Sequence, residues 1–287
     1  MTQNGNIKTF EPWPGYCELR SKEIELLFKF WKPGTIGNLL EIGCGPGFVA
    51  TILSNFSKKV FTTDLIDFNE KTNTRNVEET IGFLRKQDKG NISFFGSTAV
   101  SLPLHSKSMD VVFSMSLLEH IALDKRDMAI QEMKRVLKDN GSIVAIIPNV
   151  TERIGAFLHY YVDLSIRGLK MILGLLMGRK KTSLEKSEAS SQKQFSPNRL
   201  FPPIHGYYKN HFEELHNQFP FKWEALFKRN GLDIVKTFTV RFLPFSTKSF
   251  ISFYNRTSWI DSYLGDKIPF KYFGKNYCII ARVKNEK

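Results

Sequence analysis

Apolar positions along the first half of the chain follow two alternating rhythms. From Glu18 to Trp31, residues Leu19, Ile24, Leu27, Phe28 and Trp31 return at helical intervals until Pro33-Gly34 breaks the pattern, so the spacing predicts an amphipathic helix. Asn38–Ile42 is then a short, mostly apolar run of strand type, and Val49–Asn55 resumes helical spacing. The alternation continues with a strand over Lys59–Asp64, a helix over Arg75–Gln87 and strands over Asn91–Phe95 and Met109–Met115. A further helix begins near Asp124 and Asp127, shows Met128, Met133, Val136 and Leu137 as its core face, and is expected to stop at Asn140-Gly141. Ser142–Ile147 follows as a strand closed by Pro148-Asn149. Strands that alternate with helices, most of them continuously apolar, predict an α/β fold: a doubly wound, mostly parallel sheet with helices on both faces.

Size and composition narrow this picture. A chain of 287 residues suits one large domain, or one domain with an elaboration, and can bury an ample core. Cys17, Cys44 and Cys278 are scattered without CxxC spacing, which points away from a disulfide framework or a zinc site and fits a reducing, cytoplasmic setting. Met1–Asn6 is polar and lacks the apolar core of a secretory signal, and no uncharged apolar run is long enough to span a bilayer. The expectation is a cytoplasmic protein, soluble or peripheral on a membrane. The formal net charge of +13 is uneven: residues 1–150 are close to neutral and nearly all of the excess lies in 151–287. Such asymmetry predicts an anionic partner for the second half, either a membrane surface, a phosphorylated substrate or nucleic acid.

The chemistry converges on one sheet edge. In Leu39-Leu40-Glu41-Ile42-Gly43-Cys44-Gly45-Pro46-Gly47-Phe48-Val49-Ala50 a strand meets three alternate glycines and then a helix start. Glycines let the backbone turn sharply and approach a ligand closely, and the amides of the following helix face that ligand. About twenty residues on, Asp64 ends the second strand, where nucleoside-binding α/β units need a carboxylate for the ribose hydroxyls; Asp67 is its competitor. The polar loop Ser97–Leu104 and the strand-four exit Ser116–Ile121, which carries the acid Glu119 and the imidazole His120, fall at the same edge.

These residues resemble the class I, Rossmann-fold S-adenosylmethionine-dependent methyltransferases, in the small-molecule branch that includes the ubiquinone and menaquinone enzymes. The likeness runs from about Leu39 to Asn149. It is carried by Glu41–Gly47, Asp64, Leu102-Pro103-Leu104, Phe113–His120 and Arg135–Gly141. The glycine spacing is that family's GxGxG rather than the dinucleotide GxGxxG. The resemblance implies S-adenosyl-L-methionine as cofactor, with Glu41 and the Gly43, Cys44, Gly45 and Gly47 backbone at its methionine portion and Asp64 on the ribose. Leu65, Thr98, Ala99, Ser114 and Met115 complete the implied set, with Thr98 standing where the family usually has an acid for the adenine amino group. It also implies a seven-stranded sheet whose last strand is antiparallel, completed by Leu232–Val240 and Tyr277–Val283.

If the acceptor is a hydroxyl or phenol, a general base is needed. His120 is the best-placed candidate because it sits on a strand-end loop, with His205 and His211 as rivals from the second half. That half begins with Ile154–Met177. There Ile154, Phe157, Leu158, Tyr161, Leu164, Leu169, Ile172, Leu175 and Leu176 share one broad helical side opposite Arg153, His159, Asp163, Arg167 and Lys170. Arg179-Lys180-Lys181 follows, and residues 182–198, rich in Ser, Lys, Gln and Glu, read as a mobile loop. The expected organisation is a cofactor-binding core over 1–150, a helical insertion or lid over 151–222, and final core strands over 223–287 with an aromatic insertion at 243–274. Residues 151–215 and 243–274 are expected to form the pocket for an apolar or lipid-linked acceptor, with 154–181 facing an anionic membrane. An RNA methyltransferase fits the charge. However, Ser114-Met115-Ser116-Leu117 stands where enzymes acting on base amino groups carry an Asn/Asp-Pro-Pro-aromatic motif. A non-catalytic membrane- or partner-binding module that keeps the fold is the remaining reading, opposed by the intact glycines and Asp64.

Overall fold

The computed structural model describes residues 15–66, 77–177, 201–241 and 259–284; Asp67, the Arg179-Lys180-Lys181 run, the 182–198 loop and the first part of the 243–274 insertion lie outside them. In chain order the elements are α1 (Tyr16–Phe30), β1 (Ile36–Ile42), α2 (Phe48–Leu53), β2 (Ser57–Asp64), α3 (Val77–Lys86), β3 (Ile92–Gly96) and β4 (Met109–Met115). There follow α4 (Arg126–Val136), β5 (Leu137–Pro148), α5 (Val150–Leu176), α6 (His211–Asn217), α7 (Pro220–Arg229), β6 (Leu232–Val240) and β7 (Asn276–Val283).

The seven strands form one sheet in the order β3-β2-β1-β4-β5-β7-β6. The pairs from β3 to β5 are parallel, whereas β7 lies antiparallel to both β5 and β6. Alternate residues of the central strands explain why both faces are covered. Leu40, Val112, Ile143 and Ile279 pack with Ile130, Met133, Trp223 and Phe227 of α4 and α7. Leu39, Val111, Val144 and Ile280 pack with Ile24 and Leu27 of α1 and with Val49 and Leu53 of α2. The carboxyl ends of β1, β2 and β4 are thereby held side by side, with Ile42 in register with Thr63 on one flank and Ser114 on the other.

One local expectation is corrected. The helix before β5 stops at Val136, not at Asn140-Gly141, because Leu137 is already extended (φ −74°, ψ 137°) and pairs with Met109. The register then jumps to Val111↔Ser142, and Lys138 swings back to Asp110 (2.7 Å). Gly141 has its use inside this irregularity: a Cβ there would lie 2.9 Å from the Asp110 carbonyl oxygen. Strand pairing has overridden a local helix stop signal.

α5 departs from the body. Val150 and Arg153 are buried at its root, but Leu158, Val162, Ile166, Leu169 and Ile172 are each about half exposed or more. Its 27 residues extend ~40 Å at 1.5 Å per residue. Among the described residues no helix is long and apolar enough to cross a membrane.

Candidate active site

The turn after β1 is built from backbone. Gly43, Gly45 and Gly47 have φ of +77°, +52° and +79°, a region that residues bearing a Cβ rarely adopt. The Gly43 and Cys44 amides both donate to the Thr63 carbonyl (2.8 and 3.1 Å), and the Gly47 amide donates to the Cys44 carbonyl (3.0 Å). Space enforces the same residues: a Cβ on Gly43 would come within 2.8 Å of Leu117, and one on Gly47 within 3.0 Å of Leu84.

Asp64 clips this turn to β2. Its Oδ2 accepts from the Gly45 amide (2.6 Å) and its Oδ1 from the Leu65 amide (2.8 Å). An ionised carboxylate has about four acceptor positions, so two remain for hydroxyls of a ligand. The Ser97 amide donates to the Asp64 carbonyl (3.0 Å), which seats the Ser97–Ser101 loop, with exposed Thr98 and half-buried Ala99, beside the carboxylate. Beneath the turn, Glu41 is 2% exposed and accepts from Thr62 Oγ1 (2.7 Å). Burial pushes its carboxyl up to about 7 despite the Thr62 hydrogen bond, and neighbouring Asp64 adds to the rise. Burial also raises the Cys44 thiol, so that group remains a neutral wall rather than a nucleophile. Ser114, buried and in register with Ile42, carries a hydroxyl without a hydrogen-bond partner, and Met115 is buried beside it. Spare lone pairs on Asp64, a glycine turn that admits no Cβ and an unpartnered hydroxyl suit a nucleoside with a polar tail.

The exit of β4 is built from side chains. Ser116 takes φ +52°, strained for a residue with a Cβ, and its hydroxyl accepts from Arg20 (3.4 Å). A single 3₁₀ turn, Leu118–His120, then places Glu119 at 0% exposure with neither carboxylate oxygen hydrogen-bonded. Its Oε1 lies 3.9 Å from Nε2 of both His120 and His205. Burial pushes the Glu119 carboxyl up to about 8, with a further rise from Glu152 and a partial offset from Arg126 and Arg20. Burial, then His205 and Arg126, pull His120 down to about 4, so this imidazole is neutral at neutral pH.

His205 reaches the turn through main-chain contacts of its neighbours. The Tyr207 amide donates to the Glu119 carbonyl (2.8 Å), and Gly206, at φ +101°, lies so close that a Cβ would meet the same oxygen at 2.6 Å. The segment is pinned from behind: Glu214 of α6 accepts from the His205 amide (2.6 Å) and pairs with Arg153 of α5 (2.9 Å), which also donates to the Pro203 carbonyl (3.0 Å). Arg126, between the rings of Tyr208 and Trp223, donates to the carbonyls of Ile121 and Glu119.

The structure thus gathers Glu41, Gly43, Cys44, Gly45, Gly47, Asp64, Leu65, Thr98 and Ala99 on one side, and brings His120 and His205 together on the other, with Ser114 and Met115 ending β4 between them. His211 is not in this cluster; its ring packs against Phe157 and Phe201, with Nδ1 3.5 Å from Glu214. Sequence reasoning missed Glu119 as the centre of the imidazole pair, although its place beside His120 at a strand end was a usable signal. It also missed Glu152, paired with Lys275 at 2.9 Å, for which only the fold brings the partners together.

Residues 40–145 match the family model described as a methyltransferase domain. No curated protein matches the chain by sequence. Several solved structures are similar in fold. One is a putative methyltransferase of Haloferax volcanii bound to the Trm112 methyltransferase activator: 13% identity over 95% of this chain and 93% of that one, TM-score 0.53. A second is the YcgJ protein of Bacillus subtilis: 17% identity, 93% and 100% coverage, TM-score 0.50. A third is phosphoethanolamine N-methyltransferase 2 of Haemonchus contortus in complex with S-adenosyl-L-methionine: 16% identity over 93% of this chain and 53% of that one, TM-score 0.50.

Proposed function

We propose that the chain is a methyltransferase whose cofactor is S-adenosylmethionine, a reading supported by its match to a methyltransferase domain over residues 40–145, and that it methylates an apolar or lipid-linked small molecule held by the second half of the chain. The observation that carries the reading is the meeting of the β4 exit with the 203–208 segment. There Glu119, His120 and His205 form a polar spot close to the root of a helix whose apolar side chains stand in solvent.

Bound S-adenosylmethionine supplies an electrophilic sulfonium methyl group. Glu41 and the Gly43–Gly47 backbone hold its methionine portion, Asp64 the ribose, and Leu65, Thr98 and Ala99 border the adenine, with Cys44, Ser114 and Met115 as walls. The chain's main task is then alignment, and positioning of two reactants can supply ~7–11 kcal/mol of barrier reduction. Where the attacking atom is a hydroxyl oxygen, His120 is the base. Its imidazole is neutral at neutral pH, so a ring lone pair is available to take the hydroxyl proton.

Residues 151–222, with the 243–274 insertion, form the acceptor side in this reading. Residues 154–181 rest on an anionic membrane at its cytoplasmic face, where the exposed apolar side of α5 and the Arg179-Lys180-Lys181 run meet lipid and headgroup together. The test is transfer of a labelled methyl group from S-adenosylmethionine into fractions of a cell extract. The reading expects label in lipid-soluble material; label confined to RNA supports a nucleic-acid acceptor, and none in any fraction supports a non-catalytic module.

A further inference from the structure

The geometry points to Glu119, His120 and His205 as a site for a divalent transition-metal cation, of the Mn²⁺ or Zn²⁺ type, that holds an oxygen of the acceptor. The inference rests on the methyl-transfer reading for its role, but the site is argued from the cluster itself. Three ligand atoms, one from each residue, lie within 4.8 Å of one another. They come from two distant segments that the Tyr207–Glu119 main-chain bond and the close approach of Gly206 lock together.

The carboxylate is the decisive member. Glu119 is fully buried and neither oxygen has a hydrogen-bond partner, a situation that costs roughly 1–3 kcal/mol for a polar group and more for a charged one. The imidazoles do not relieve it, since 3.9 Å is too long for a hydrogen bond. Arg126 does not relieve it either, because its guanidinium is turned to the Glu119 main-chain carbonyl (3.3 Å) and leaves the carboxylate free. A cation among the three residues satisfies the oxygen and takes the imidazole lone pairs at once, so with the ion bound His120 is a ligand and the ion replaces it in activating the acceptor hydroxyl.

Distances permit it. Ligands bonded at ~2.0–2.2 Å stand ~3.0–3.6 Å apart around one ion, so the three atoms close by about 1 Å on binding. The rings have the freedom to do so, being 49% and 45% exposed. That exposure also leaves coordination positions open to water or acceptor oxygen, as in catalytic rather than structural metal sites. Two imidazoles with one carboxylate favour Mn²⁺, Fe²⁺ or Zn²⁺ over Mg²⁺ and Ca²⁺, which take mainly oxygen ligands. In the reaction the ion anchors the acceptor hydroxyl and lowers its pKa.

The test strips the full-length protein with EDTA and titrates it with Mn²⁺, following free Mn²⁺ by electron paramagnetic resonance, with Zn²⁺ as competitor. Wild type is expected to bind Mn²⁺ in the micromolar range. Glu119→Gln and His205→Ala are expected to weaken it more than tenfold while calorimetric affinity for S-adenosylmethionine is retained, which shows that both variants are folded. Absence of Mn²⁺ and Zn²⁺ binding by wild type, or binding undiminished in both variants, overturns the site. Activity separates this claim from the broader reading. Methyl transfer that is indifferent to EDTA yet lowered by His120→Ala leaves the base in place and removes the cation, whereas Mn²⁺ binding lost in the variants without any methyl transfer keeps the site and removes the acceptor reading.

Discussion

The two sides of the sheet's carboxyl edge solve different problems with different materials. On the β1–β2 side the proposed cofactor site is made of main chain: three glycines at positive φ, amides turned to Thr63 and Asp64, and one carboxylate that fastens the turn. On the β4 side it is by side chains brought from far apart: Glu119, His120, His205, and behind them Glu214 with Arg153. A main-chain site tolerates little change in geometry and suits a cofactor of fixed shape. A side-chain site can be retuned one residue at a time, which suits the substrate that distinguishes one enzyme from its relatives.

That contrast predicts how each side breaks. The largest effect belongs to Gly45→Arg, which puts a bulky residue at φ +52° in the middle of the cradle; calorimetry should find no measurable S-adenosylmethionine binding. Retained affinity would mean that the turn is not the cofactor site. On the other side, His120→Ala should lower turnover by roughly 100-fold, the lower range for loss of acid–base assistance, with cofactor affinity nearly unchanged. Wild-type turnover in that variant would remove His120 from the chemistry.

A smaller effect concerns Glu41. Its folded carboxyl is raised to about 7 from an ordinary 4.5, so its contribution to stability is fully present below pH 4.5 and is lost as pH rises through 7. Glu41→Gln removes that loss. Its melting temperature relative to wild type, both without cofactor, should therefore climb between pH 4.5 and 7.5, for a difference of about 3 kcal/mol at full development. A flat difference across that window would show that Glu41 is ionised in the folded protein. The smallest effect is on α5: Leu158→Glu with Leu169→Glu, on its exposed side, should reduce co-sedimentation with anionic liposomes several-fold while leaving the melting temperature alone, and equal sedimentation would detach the membrane from the account.

The same contrast explains what could be read from the chain in advance. Strand β4 was delimited at both ends, and β6 likewise, because buried strands write their composition locally. The glycine turn and Asp64 were legible because their spacing is short and their chemistry demands those residue types. Leu137 was misjudged, since its pairing with Met109 outweighed the Asn140-Gly141 stop signal, and pairing is not a local property. Glu119 stood next to a residue already singled out, yet its importance comes from burial and from His205, which only the folded chain brings to it. His211 illustrates the converse: the type was suggestive, and its surroundings are Phe157, Phe201 and Glu214.

The proposed division between a main-chain donor site and a side-chain acceptor site is tested most directly by titrating S-adenosylmethionine calorimetrically into wild type, Asp64→Ala and His205→Ala. Wild type and His205→Ala should bind alike, and Asp64→Ala should lose on the order of 10- to 100-fold, the weight of hydrogen bonds to a charged group. Affinity kept in Asp64→Ala, or lost in His205→Ala, would contradict it.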